Sequence, residues 1–134
     1  MDSDIYVDEL IEQYEHPHNK GVIEKADGEM HEHNPLCGDD ITIYFSLKDN
    51  RIKDIKFVGS GCVISMSTAS KLTDIIKGRG LGEIERMGAK DVIELIGIDP
   101  GPARLKCATL SLRALKEAVF LYEHRAVDAE TKKL

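Results

Sequence analysis

Ile41-Thr42-Ile43-Tyr44-Phe45-Ser46-Leu47 is the stretch that decides the fold, because its apolar residues alternate with more polar ones. A period of two is typical of a half-buried β-strand. Asp49-Asn50 then tolerates the positive φ of a tight hairpin turn, and residues 52–58 return with Ile55 and Phe57 on one face. The sequence therefore predicts an antiparallel hairpin.

Helical periodicity appears on both sides of this hairpin, and a short strand is predicted just before it at Met30-His31-Glu32. The predicted helices cover residues 4–14, 63–77, 89–95 and 104–124. The fold class expected from this order is α+β, with a small antiparallel sheet of about three strands packed against several helices. We expect residues 1–134 to form a single domain, with residues 1–3 and 126–134 frayed.

The overall charge and composition exclude several classes of partner. The 134 residues carry a formal net charge of -6, and there are no Trp and only seven Phe and Tyr residues together. An acidic chain without aromatic platforms is a poor match for nucleic acid or for an anionic membrane. No apolar run approaches the ~20 residues that span a bilayer, so we expect a cytoplasmic protein.

Each of the three cysteines lies in a distinctive local context. Cys37 belongs to the Gly-containing turn Asn34-Pro35-Leu36-Cys37-Gly38-Asp39-Asp40, Cys62 follows Gly59-Ser60-Gly61 at a predicted corner from strand to helix, and Cys107 lies in the first turn of the last predicted helix. Such positions at turns and helix starts favour the thiolate form. An odd number of widely spaced cysteines also argues against a disulfide framework.

Together these thiols and Asp39 form a candidate ligand set for one metal site. A Cys₃Asp set suits tetrahedral Zn²⁺, and it also suits a [2Fe–2S] cluster with one thiolate replaced by a harder, more exchangeable oxygen. However, 24 residues separate Cys37 from Cys62 and 44 separate Cys62 from Cys107. Convergence would have to come from the fold, so the residues alone leave a shared site open.

His31 and His33 point to one strand face and could flank this site. Hydrolase chemistry through a Cys–His pair with one of them as base stays open, although no orienting third group can be named. A structural zinc domain is a further alternative, but Asp39 beside glycines argues against it because structural zinc sites are usually closed and rich in thiolate or histidine.

The three cysteine motifs, taken in order, resemble those of the IscU/SufU iron–sulfur scaffold family. They are Asn34-Pro-Leu-Cys37-Gly-Asp39, Gly59-Ser-Gly-Cys62 and Pro102-Ala-Arg-Leu-Lys106-Cys107. Tyr14-x-His16-Pro17-x-Asn19-x-Gly21 is also similar to the N-terminal signature of that family. The resemblance extends over nearly the whole chain and implies the same α+β fold.

The resemblance implies a function and a role for each site residue. The chain would be a scaffold, not an enzyme, on which a [2Fe–2S] cluster is built from iron and persulfide sulfur of a cysteine desulfurase and then passed to acceptor apoproteins. Cys37, Cys62 and Cys107 would hold the cluster or zinc, and Asp39 would complete the coordination. Cys107 is expected to accept the persulfide, with Lys106 stabilising its thiolate. A homodimer around one cluster is compatible with this set.

Two departures point to different branches of that family. The residue before the third cysteine is Lys106, as in SufU proteins, whereas IscU proteins have His there. The short interval between Cys62 and Cys107 is instead IscU-like, because SufU proteins carry an insertion there. The alternative function is therefore a zinc-dependent sulfur carrier that accepts persulfide from a cysteine desulfurase and builds no cluster.

Overall fold

The predicted hairpin is present and forms the centre of the sheet. The computed structural model describes residues 2–134, with side chains from residue 5 onward. Strand β2 covers Asp39–Lys48 and strand β3 covers Arg51–Ser60, paired antiparallel with a register shift at Ser46/Leu47. Asp49 and Asn50 have φ values of 55° and 61°, which confirms the left-handed turn expected from these residue types.

The first strand is longer than its sequence pattern indicates. Strand β1 covers Gly28–Asn34 and pairs antiparallel with β2, which gives the order β1-β2-β3. Gly28 lies against the ring of Phe45, where a side chain would collide with the ring. The residues of β1 are mostly polar because only one of its faces packs against the protein. The sequence therefore shows too little apolar alternation to predict the full length of this strand.

Six helices complete the described chain, and together with the sheet they confirm the α+β class. They are α1 (Asp2–Glu15), α2 (Val63–Ile76), α3 (Leu81–Glu85), α4 (Ala89–Ile96), α5 (Pro102–Tyr122) and α6 (Ala129–Lys132). α5 packs on β1 and β2, and α2 packs on α5 and α1. Within residues 2–134, no helix is both long and apolar enough to cross a membrane.

The core lies between the inner face of the sheet and the long helices. Ile41, Ile43 and Phe45 of β2 are fully buried, as the alternation predicts. Ile55 and Phe57 of β3 extend the same apolar layer. Burying side chains of this size stabilises the fold by ~1.5–3 kcal/mol each, so this layer fixes the position of the strand ends that carry the site.

The apolar stripe of α1, formed by Val7, Leu10, Ile11 and Tyr14, is only partly buried. Leu10 is 2% exposed, whereas Val7, Ile11 and Tyr14 remain 41–42% exposed. α1 instead contacts α2 largely through polar groups, with Ser67 donating to the Leu10 carbonyl at 2.5 Å. The predicted helix is present, but of these four apolar residues only Leu10 belongs to the core.

The beginning and the end of the C-terminal region also differ from expectation. α5 begins at Pro102 rather than at residue 104, because a proline at the first helical position needs no hydrogen-bonding partner for its nitrogen. Cys107 consequently lies in the second turn of α5. The segment 126–134, expected to fray, contains α6, and Thr131 and Leu134 pack into the protein at 0% and 6% exposure.

Of the N-terminal segment 1–3, which is also expected to fray, residue 1 lies outside the described residues and the other two belong to α1.

Candidate metal centre

The turn between β1 and β2 places Cys37 and Asp39. Asn34 ends β1 and holds the turn: its carbonyl accepts from the N–H groups of Cys37 and Gly38 at 3.2 and 2.8 Å, and its side-chain oxygen accepts from the N–H of Leu36 at 3.1 Å. Gly38 has a φ of 72°, a left-handed conformation that glycine adopts without strain. Cys37 is exposed on this turn, while Asp39 begins β2 and is 0% exposed.

The corner between β3 and α2 places Cys62 beside Asp39. The Cys62 N–H donates to Oδ1 of Asp39 at 2.9 Å, and its thiol lies 3.9 Å from Oδ2. Cys62 is the N-cap of α2, and its sulfur accepts from the Ser65 N–H at 3.4 Å. The expectation that Cys62 opens the helix is therefore confirmed, with the N-terminus of α2 facing the carboxylate and the thiol.

Gly61 makes this close approach possible. A Cβ at position 61 would lie 2.5 Å from Oδ1 of Asp39 and 2.6 Å from Oγ of Ser65. Any side chain here would displace the carboxylate or the serine. The glycine of the Gly-Ser-Gly-Cys motif thus has a definite steric role in the site.

α5 brings the third thiol to the same place. The Sγ atoms of Cys37 and Cys107 are 2.9 Å apart, and Nδ2 of Asn34 lies 3.5 Å from the first and 3.8 Å from the second. One donor atom from each of Cys37, Asp39 and Cys107 lies within 4.8 Å of the other two. The Cys62 sulfur lies outside this compact group and is next to it through Asp39, 3.9 Å from Oδ2. The four residues proposed from sequence therefore converge, which spacing alone left open.

Cys107 is not the accessible, acidic thiol that its sequence context indicates. It is only 1% exposed. Burial, together with the hydrogen bond to Cys37 and the neighbouring Asp39 and Cys62, raises the pKa of the Cys107 thiol far above its ordinary value. The prediction failed because α5 packs on β1 and β2 and Cys107 lies on its buried face.

Lys106, predicted to stabilise the Cys107 thiolate, instead binds the C-terminal segment. Its Nζ donates to the main-chain carbonyls of Lys133 and Leu134 at 2.8 and 2.9 Å. The structure therefore gives this ammonium group a role in holding the C-terminal segment. It offers no contact that would stabilise a thiolate at Cys107.

The histidines lie around the site and not within the group of donors. The rings of His31 and His33 stack with centroids 6.2 Å apart, which confirms that they share a face of β1. Nε2 of His31 is 2.7 Å from Oδ2 of Asp40, the residue next to Asp39. His18 instead pairs with Asp74 through Nδ1 and Oδ2 at 2.6 Å.

Two contributors were missed from sequence, Asn34 and Ser65. Asn34 is 7% exposed and is the only side-chain amide among residues 5–134 that contacts two of the thiols. Ser65 supplies the N–H that reaches the sulfur of Cys62. The Asn-Pro pair before Cys37 and the serine three residues after Cys62, an N-cap spacing, are the signals that would have indicated both.

Fold and site together define a class: small α+β proteins in which three cysteines and one aspartate from separate elements meet at one end of a three-stranded sheet. A model of the family described as the NifU-like N terminal domain matches residues 5–129. The chain belongs to this family.

Relatives with known names agree with this assignment. The chain is 38% identical over 118 residues to the iron-sulfur cluster assembly scaffold protein IscU 1 of Archaeoglobus fulgidus, covering 88% of this chain and 76% of that protein. It is 35% identical over 132 residues to the zinc-dependent sulfurtransferase SufU of Bacillus subtilis, covering 86% and 89%. The resemblance inferred from the three cysteine motifs is thereby confirmed.

Solved structures show the same fold. The putative iron-sulfur cluster assembly scaffold protein for the SUF system from Fervidobacterium islandicum superposes with a TM-score of 0.73 at 27% identity, over 87% of this chain and 98% of that one. A nitrogen-fixing NifU-like protein (N-terminal) from Brucella abortus gives a TM-score of 0.75 at 19% identity, over 92% and 97%, and supports the fold alone.

Proposed function

We propose that this protein is a scaffold on which a [2Fe–2S] cluster is assembled from iron and desulfurase-derived persulfide sulfur, and from which the cluster passes to acceptor apoproteins. The observation that carries the proposal is the convergence of three distant cysteines on one buried carboxylate. Cys37 and Cys107 are 2.9 Å apart at their sulfurs, and Cys62 lies 3.9 Å from Asp39. Thiolates are the usual ligands of such clusters.

Each site residue takes a distinct role in this proposal. Cys37, Cys62 and Cys107 hold the cargo through their sulfurs, and Asp39 completes the coordination with a carboxylate oxygen. A harder oxygen ligand binds iron in a cluster less firmly than thiolate does, so this position is the one at which the cargo is released. Asn34, with its amide beside two of the sulfurs, orients the thiols.

The exposed thiol is the better candidate for the first acceptor of sulfur. Cys37 is exposed on its turn, whereas Cys107 is buried and its burial raises the pKa of its thiol. The Cys37 thiolate attacks the outer sulfur of the donor's cysteine persulfide, a new sulfur–sulfur bond forms, and the donor's bond breaks to release its thiolate. Cys107, 2.9 Å away, is placed for a second exchange of the same kind once its proton is lost.

Cluster assembly needs electrons as well as sulfur. Reduction of the persulfide sulfur to sulfide draws on the oxidation of ferrous iron and on an external reductant such as a dithiol. The partners implied are a cysteine desulfurase and acceptor apoproteins, and a second copy could supply further ligands to a bridging cluster. In this account the protein is a scaffold and transfer protein.

A second function, a zinc-dependent sulfur carrier, is favoured by the ligand chemistry. A Cys₃Asp set fits Zn²⁺ as well as it fits iron, and the similarity to a zinc-dependent sulfurtransferase supports the same alternative. There zinc would order the thiols, one cysteine would relay sulfur, and no cluster would form.

Anaerobic reconstitution separates the two functions. The protein is incubated with ferrous iron, cysteine, a dithiol and a cysteine desulfurase, and a zinc-loaded sample is treated alongside. The scaffold function predicts visible sulfide-to-iron charge-transfer bands and equal amounts of bound iron and sulfide. Tight zinc, no such bands and persulfide on a cysteine would instead establish the sulfur carrier.

A further inference from the structure

The face of the sheet that is turned away from the core carries two histidines and an aspartate near the end of the strands. His31 and His33 share this face of β1, and His33 pairs in register with Asp40 of β2. Asp40 lies between Asp39 and Ile41, which are buried on the opposite face, so its own side chain points outward and is 48% exposed. We call His31, His33 and Asp40 the outer cluster.

The side chains of the outer cluster lie against one another. Nε2 of His31 is 2.7 Å from Oδ2 of Asp40, and the rings of His31 and His33 stack with their centroids 6.2 Å apart and their planes at 22°. His33 is exposed, so its ring can turn about its side-chain bonds toward the same carboxylate. Residues directly opposite each other on antiparallel strands have Cβ atoms ~4.5–5.5 Å apart, which lets His33 and Asp40 share an ion.

An ordinary surface pair accounts for only part of this arrangement. His18 and Asp74 form such a pair elsewhere, with Nδ1 2.6 Å from Oδ2, and Asp74 also accepts from the side-chain amide of Asn19. That pair joins one imidazole to one carboxylate. The outer cluster adds a second imidazole, and two imidazoles with one carboxylate are a ligand set of non-haem ferrous iron, with the remaining positions open to water.

The outer cluster lies one residue from the thiol site on both strands. On β2, Asp40 directly follows Asp39, whose carboxylate belongs to the inner ligand set. On β1, His33 directly precedes Asn34, whose amide contacts two of the thiols. Consecutive Cα atoms are about 3.8 Å apart, so the outer and inner sets are separated only by the thickness of the sheet at its end.

The two ligand sets differ in chemistry in a way that suits successive steps. Exposed imidazole and carboxylate ligands, completed by water, hold a divalent ion loosely, whereas thiolates bind the iron of a cluster more firmly. An iron ion that moves from the outer set to the inner one stays ferrous. It loses bound water and gains thiolate ligands, and the thiol protons go to solvent.

We propose that His31, His33 and Asp40 bind ferrous iron and hold it for delivery to the thiol site. The inference rests on the proposed function and specifies how iron enters the protein. Iron passes around the end of the sheet along the turn of residues 35–38, because the paired strands separate the two faces. The outer cluster is used before a [2Fe–2S] cluster forms, so the lifetime of a finished cluster should not depend on it.

A binding experiment tests the site itself. The thiol site is first filled with one equivalent of zinc, and ferrous iron is then titrated anaerobically by calorimetry. Wild type should bind one further ion, and His33→Gln should bind it at least about ten-fold more weakly, since even residues behind a ligand change metal affinity by this factor. His18→Gln alters the isolated histidine–carboxylate pair and should match wild type. No further ion in wild type, or equal binding by His33→Gln, would overturn the proposal.

A loading experiment tests the function of the site. With ferrous iron limiting, His33→Gln should build clusters several-fold more slowly than wild type, and excess iron should restore the wild-type rate. His18→Gln should match wild type at both iron levels. Normal loading by His33→Gln at limiting iron would contradict this inference alone. Failure of the wild-type protein to build a cluster at either iron level would contradict the proposed function, whereas the binding experiment would still decide whether the outer cluster holds iron.

Discussion

The sulfurs of Cys37 and Cys107 lie 2.9 Å apart, yet one thiol is exposed and the other is 1% exposed. The pair thus joins the surface of the protein to its interior at a single contact. This arrangement gives the two thiols different reactivity.

Alkylation should distinguish the two thiols. Without metal, iodoacetamide should modify Cys37 at least about ten times faster than Cys107, because burial limits access to Cys107 and raises its pKa. Mass spectrometry of digested samples over time gives both rates, with Cys62 as an internal reference of intermediate exposure. Equal rates for Cys37 and Cys107 would show that the site opens readily in solution.

Asp39→Asn should lengthen the life of a bound cluster in air. The amide keeps an oxygen that can accept from the Cys62 N–H, but a neutral amide is a much poorer iron ligand than a carboxylate, so the exchangeable ligand through which the cluster is released is removed. Decay of the visible absorption of reconstituted protein measures the effect. Asp40→Asn, which changes the neighbouring carboxylate bound to His31, is the control and should decay like wild type. Faster decay of Asp39→Asn would count against the labile role.

Gly61→Ala should damage the site through its added methyl group. The new Cβ would lie 2.5 Å from Asp39 and 2.6 Å from Ser65, so we expect weaker zinc binding and a loss of about 1–3 kcal/mol in the free energy of unfolding. Gly88→Ala is the control, since an added Cβ there meets nothing within 4 Å. Zinc affinity and stability unchanged in Gly61→Ala would disprove this steric role.

The stability of the fold should depend on Glu117. Burial, reinforced by the neighbouring Glu32 and opposed by Arg113, raises the pKa of Glu117 to about 7. A pKa raised in the folded state contributes stability that is full below the unfolded value of ~4.3 and is lost as pH rises through about 7. Glu117→Gln should therefore remove part of the decline between about pH 4.5 and pH 7.5 and be about 1–2 kcal/mol more stable than wild type above this range.

Denaturant unfolding at several pH values measures this difference. Glu130→Gln changes a carboxylate whose side chain is 77% exposed and should track wild type throughout. Parallel pH profiles for Glu117→Gln and wild type would show that Glu117 keeps an ordinary pKa.

Local patterns in the sequence predicted the hairpin and the start of α2 at Cys62. The alternation from Ile41 to Leu47 and the turn formed by Asp49 and Asn50 depend on neighbouring residues in the sequence, which is why local patterns predict them. The convergence of Cys107 with Cys37 depends on how α5 packs across the sheet. The spacing of the cysteines along the sequence does not specify that packing.

The expectation for Lys106 was wrong for the same reason, because its contacts also depend on long-range packing. Lys106 beside Cys107 suggested a thiolate-stabilising cation, but α6 and the C-terminal residues fold back and their carbonyls bind its ammonium group. The polar tail gave no local sign of this contact.

Cluster transfer tests the central claim most directly. Protein reconstituted with a [2Fe–2S] cluster is mixed with an apoferredoxin in the presence of an iron chelator, and both proteins are separated and assayed for iron and sulfide. The account predicts that the ferredoxin gains an intact cluster as this protein loses one, with little iron captured by the chelator. Iron found mainly in the chelator, with an empty ferredoxin, would contradict it.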